Sequence, residues 1–115
     1  MKSVSPPVDL EYLKKLTKGD AALEREYARN FVMVGEGTIA GLDGFCQEND
    51  AKSWKIAARV FSECAYRIGA GELASLCSAA EKGADDMSIR PWLLDQIKAE
   101  FERTRRFLRE YGLLS

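Results

Sequence analysis

Between Asp50 and Ala70 the chain divides into two faces at the helical period. Trp54, Ala57 or Ala58, Phe61, Cys64 or Ala65, and Ile68 recur at steps of three and four, the spacing of a helix that buries one stripe. Lys52, Lys55, Arg59, Ser62, Glu63 and Tyr66 fall on the other side. Asp50 can accept hydrogen bonds from the free N–H groups of a first turn, and Gly69 can close the last one. A helix of about five turns is therefore expected. Because the apolar stripe is committed to a core, any function of this segment belongs to the polar stripe.

The flanking segments follow the same period. Met1 to Val8, with Ser3, Ser5, Pro6 and Pro7, reads as a flexible leader. Asp9 caps a short helix, LEYLKKLT, in which Leu10, Leu13 and Leu16 share a side; Gly19 stops it and Asp20 caps the next. From Ala21 to about Gln47, apolar residues recur at Leu23, Tyr27, Phe31, Val34, Thr38, Leu42 and Phe45, a long amphipathic helix. Gly35, Gly37, Gly41 and Gly44 each weaken it by about 1 kcal/mol relative to alanine. A bent or locally loosened helix is expected there, in preference to close approach by a neighbour.

Glu72 to Lys82 predicts a shorter helix with Leu73, Leu76, Cys77 and Ala80 inward, ended by Gly83. Asp85, Asp86 or Ser88 is the expected cap of a last helix with Pro91 in its first turn, where the missing N–H costs little. Its stripe is Ile89, Trp92 or Leu93, Ile97, Phe101, Thr104, Leu108 and Tyr111, which places both Trp54 and Trp92 in the packing. No segment alternates as a strand does. The expectation is an all-α fold: an antiparallel four-helix bundle with a short additional N-terminal helix, in a single domain spanning residues 1–115.

The composition removes most chemistry. There is no histidine in the 115 residues, which excludes histidine-activated nucleophiles, histidine metal sites and histidine acid–base catalysis. Cys46, Cys64 and Cys77 have no metal-ligand spacing and sit in apolar surroundings, so free buried thiols are expected. No catalytic residue, metal or cofactor is expected. A net charge of −1 argues against binding nucleic acid through many phosphates. No apolar run is long enough to span a bilayer and no secretory h-region is present, so a cytoplasmic location without membrane contact is expected.

The stretch from Asp50 to Ala70 resembles the histidine phosphotransfer (HPt) family. That family carries a phosphoryl group on a histidine and passes it to receiver domains. Its motif is similar to AHTLKGSAxxLGA, with an aspartate nine residues before the histidine. Here Asp50 stands nine residues before Arg59, and residues 58–70 read ARVFSECAYRIGA. The opening GDAALEREYARNFV resembles the family's first bundle helix, and Glu72, Leu73, Ala74 and Leu76 match its next one.

The departures fall on the chemistry. Arg59 occupies the place of the phosphoacceptor histidine, Ser62 that of a lysine that offsets phosphoryl charge, and Glu63 that of a glycine that keeps the histidine accessible. Ala58, Phe61, Ile68 and Gly69 keep the apolar scaffold. A guanidinium has a pKa above about 12 and no lone pair with which to attack phosphorus at neutral pH. The resemblance thus implies a degenerate HPt domain, not an enzyme. It would bind a response-regulator receiver domain or a histidine kinase as a monomer, without carrying phosphate.

The implied partner face comprises Lys52, Lys55, Arg59, Ser62, Glu63, Tyr66 and Arg67. Against this stands a solvated helix surface laced by Glu63 pairs to Arg59 and Arg67, each worth about 0.2–0.5 kcal/mol. A further alternative is a structural bundle protein acting through homodimerisation or as a scaffold outside phosphorelay signalling. Arg103, Arg105, Arg106 and Arg109, interleaved with glutamates, read as a solvated helix end.

Overall fold

The computed structural model describes residues 6–114, which form five helices and no strand: α1 (Leu10–Thr17), α2 (Ala21–Gln47), α3 (Ala51–Arg67), α4 (Gly71–Lys82) and α5 (Arg90–Glu110). Three of them begin on the aspartates that the sequence marks. Asp9, Asp20 and Asp50 accept hydrogen bonds from the N–H groups of Tyr12, Leu23 and Ser53. Each satisfies one of the donors that a helix start leaves unpaired.

The start of α5 departs from expectation. The side chain of Asp86 accepts from the N–H and hydroxyl of Ser88, so it closes a tight turn upstream, and the helix begins after Ile89 without a side-chain cap. The segment read as a leader also divides. Met1 to Ser5 lie outside the described residues, whereas Pro7 and Val8 are buried and the Asp9 N–H donates to the Gly69 carbonyl at 2.9 Å. An apolar valine beside a paired backbone behaves as core.

Cross-helix pairings fix the topology. Phe31 meets Phe61 and the end of α3 returns beside Tyr27, so α2 and α3 run antiparallel. Trp54 bonds Ala80 while Ser62 bonds Ala74, which reverses α4 against α3. Lys98 reaches Asp43 and Arg105 reaches Glu36, which closes α5 antiparallel onto α2. The result is the antiparallel four-helix bundle, with α1 laid against α2.

At its centre Phe31, Phe61 and Phe101, from three helices, bring their ring centroids within 5.6–6.2 Å of one another. Such pairs add about 0.5–1.5 kcal/mol each beyond burial. The Trp54 indole N–H donates to the Ala80 carbonyl at 2.8 Å, satisfying an acceptor in the last turn of α4 that the helix itself cannot pair.

The four glycines do not loosen α2, which runs unbroken through all of them. Gly35 sits where the Phe101 ring presses on the helix, so close approach is its physical reason. Trp92 corrects the other expectation: it is 57% exposed, because Leu93 takes the inward position of that pair. Tyr111 is likewise outside, its ring 4.7 Å from that of Phe107.

Candidate functional site on the outer face of helix α3

Helix α3 is held from within by Trp54, Ala58, Phe61 and Ala65, all fully buried. That anchorage fixes its rotation and so decides which side chains face solvent. Lys52, Lys55, Arg59, Glu63, Tyr66 and Arg67 all emerge on the exposed side. At the head of the helix, the Ser53 N–H and hydroxyl hold the Asp50 carboxyl below its ordinary range, with a smaller contribution from Lys52.

Within this face Arg59 lies along the helix toward Glu63, Nε to Oε1 at 3.8 Å, with both side chains exposed. An exposed pair of this spacing contributes only about 0.3–0.5 kcal/mol. It leaves the guanidinium free to turn to another acceptor. The structure gives Glu63 the Arg59 contact and not one to Arg67. Arg67 instead borders a small cleft against Tyr27, Asn30 and Cys64. Tyr66 is 69% exposed and meets the ring of Tyr12 edge-on at 6.3 Å.

Ser62 stands apart from the other residues of the stripe. It is half-buried, and its hydroxyl donates to the Ala74 carbonyl at 3.1 Å, so its hydrogen-bonding capacity is turned to α4.

Across 93% of this chain and 96% of the other, the coordinates are similar to the crystal structure of histidine-containing phosphotransfer protein B (HptB) from Pseudomonas aeruginosa PAO1, with a TM-score of 0.83 and 25% identity. The fold is HPt-like. No protein-family model matches the chain, and neither does any curated protein sequence.

The HPt-like scaffold presents more than the polar stripe that the sequence suggested. Ile56 is 56% and Val60 50% exposed, one helical turn apart and interleaved with Lys52, Arg59 and Glu63. The outer face is thus a mixture of cations and aliphatic surface. Their signal was available, since both fall outside the buried stripe yet are β-branched and apolar.

A second element missed in sequence is Arg90. It is only 2% exposed, and its Nη2 donates to Asn49 Oδ1 at 2.7 Å, while Nε and Nη1 are buried without a hydrogen-bond partner. This bond ties the start of α5 to the turn immediately before Asp50, and so steadies the head of α3.

Of the four arginines near the end of α5, Arg103 and Arg105 are paired, while Arg106 and Arg109 are exposed. Arg103 bonds Glu100 at 3.0 Å and reaches Glu72 at 4.0 Å. Arg105 clasps Glu102, reaches Glu36 at 3.4 Å and lies over the Phe101 ring at 5.8 Å. The bond from Arg105 holds the Glu102 carboxyl below its usual range. Among the described residues no three Cys, Asp or Glu side chains gather as metal ligands, and no helix is long and apolar enough to cross a membrane. Burial pushes the Cys77 thiol up to about 12, and raises that of Cys64 as well.

Proposed function

We propose that this chain is a non-catalytic, HPt-like signalling module. It docks a response-regulator receiver domain, or an element of a histidine kinase, through the outer face of α3 and carries no phosphate. The carrying observation is Arg59: an exposed, lightly tethered cation at the position which the family resemblance gives to the phosphoacceptor, in a chain with no histidine. The likeness to a histidine-containing phosphotransfer protein supports the signalling context.

Receiver pockets are acidic by the same resemblance, so Arg59 would make charge-assisted hydrogen bonds there. Lys52 and Lys55 would steer the encounter, while Ile56, Val60 and Tyr66 supply apolar area. Glu63 and Arg67 set the charge pattern around them, and Ser62 acts from behind through its bond to α4. Occupying a regulator without phosphorylating it makes the module a competitor or a tether.

Isothermal titration against receiver domains, phosphorylated and unphosphorylated, tests this. Arg59→Ala should weaken binding by about 1.5–3 kcal/mol, the value of a hydrogen bond to a charged group, and added salt should weaken it further. Binding indifferent to both changes excludes this face. A folded protein that binds no receiver or kinase but forms dimers in light scattering would instead favour the homodimer reading.

A further inference from the structure

Where α1 and α4 begin and α3 and α5 end, the molecule carries a half-open cleft of about 660 Å³. That is within the usual range of small-ligand sites, about 300–1,000 Å³. Four aromatic rings line it in two pairs. Tyr12 and Tyr66 meet edge-on on one wall, and Phe107 and Tyr111 lie close together at the end of α5. The three tyrosines are all more than a third exposed, so their ring faces are not used up by the core.

Carboxylates dominate the charge of the cleft. Asp9, Glu11 and Glu72 border it, and no lysine or arginine does among the described residues. Capping accounts for carboxylates in the first turns of α1 and α4. It does not neutralise them. Two helix N-termini contribute about +0.5 each and two C-termini about −0.5 each, so the dipoles cancel; the carboxylates of Asp9 and Glu11 remain, and that of Glu72 is shared with Arg103. Arg103 pairs with Glu72 at 4.0 Å beside its 3.0 Å bond to Glu100, so it offsets Glu72 in part and leaves Asp9 and Glu11 untouched.

Aromatic faces beside carboxylates attract an organic cation and repel an anion. We propose that this cleft binds a small organic cation, an ammonium or guanidinium group on an apolar body. The charge lies against the tyrosine rings beside Glu11 and Glu72, and the body lies against Val8, Leu10 and Phe107. The site is separate from Arg59 and stands whether or not α3 docks a receiver; Tyr66, two turns further along α3, is common to both.

A single apolar body in three charge states makes the test. The full chain is titrated with 2-phenylethylammonium, 2-phenylethanol and phenylacetate, and followed by NMR of the tyrosine ring protons. The ammonium probe should bind at millimolar concentration, shift Tyr12, Tyr66 and Tyr111, and bind about tenfold more tightly than phenylacetate. The double variant Glu11→Gln/Glu72→Gln, altered only at exposed positions, should keep its circular dichroism spectrum and lose that preference. No shift with the ammonium, equal binding of all three probes, or a preference surviving in the variant would each overturn the proposal. So would binding of an oligoarginine peptide but not the small ammonium, which would make the cleft a protein-docking groove.

Discussion

An alanine at Gly35 sets two opposing terms against each other within one helix. Its Cβ would lie 2.3 Å from Cε1 and 2.7 Å from Cζ of Phe101. The Phe101 ring cannot simply retreat. It lies 5.6 Å from Phe31 and 5.9 Å from Phe61, with the Arg105 guanidinium over it. Ordinary contact requires a shift of more than about 1 Å in a close-packed interior, which puts the cost near the upper part of the 1–3 kcal/mol range for overpacking. Against this, alanine gains about 1 kcal/mol of helix propensity. The expected net effect is a loss of about 1–2 kcal/mol.

Gly37 is the internal control, because nothing lies within 4 Å of an added Cβ there. Gly37→Ala should therefore gain about 0.5–1 kcal/mol. Urea unfolding measures both variants, and thermal midpoints should move by roughly 4 °C per kcal/mol for a chain of this size. Gly35→Ala combined with Phe101→Leu should lose less than the sum of the single changes, since the smaller side chain relieves the contact. If Gly35→Ala is as stable as Gly37→Ala, or if the double variant is simply additive, the packing argument fails.

Three further outcomes are expected. Asn49→Gly keeps the left-handed backbone at that position (φ 56°) but removes the acceptor of Arg90, and should cost about 2–3 kcal/mol in denaturant unfolding. Arg90→Met removes the buried donors altogether and should lie within about 1 kcal/mol of the parent; the reverse ranking would refute the account. Because burial lifts the Cys77 thiol to about 12, iodoacetamide at mildly alkaline pH should label it only after unfolding, as read by mass spectrometry. Equal labelling of native and unfolded protein contradicts that. The Asp50 carboxyl is depressed in the folded state, so its contribution is present above the unfolded value of about 3.9 and is lost as pH falls through the folded one. Asp50→Asn caps without titrating, so its helix signal should depend less on acid than that of the parent.

The helices were legible because caps and period are local. Asp9, Asp20 and Asp50 announce starts that need only three or four neighbouring residues to form, and the α3 stripe reports its own burial. What escaped depends on residues distant in sequence. Gly35 reads as a weak point until Phe101, on another helix, is placed against it. Trp92 and Leu93 are adjacent and both apolar, and only the docking of α5 decides which turns inward. Ser62 looks polar and therefore exposed, yet a carbonyl of α4 lies within its reach. Arg90 is the extreme case. A cation at a helix start opposes the local dipole rule, and its acceptor, Asn49, lies 41 residues earlier.

The same distinction bears on how the α3 face could work. A flexible surface of four cations and a tyrosine would have to order itself on binding, at about 0.5–1.5 kcal/mol for each long side chain fixed. Here no backbone ordering is added to that cost, because the fully buried Trp54, Ala58 and Phe61 hold α3 and the Arg90 bond steadies its head. The residual tether is Glu63 on Arg59, and an exposed pair of this kind holds it back by only about 0.5 kcal/mol. On the docking reading, the larger effect of Glu63 is its own charge, which opposes an acidic pocket beside Arg59. Affinity must then come from the Arg59 hydrogen bonds together with Ile56, Val60 and Tyr66, while Lys52 and Lys55 set orientation and rate. A partner that matched only the charges would associate quickly and leave as quickly.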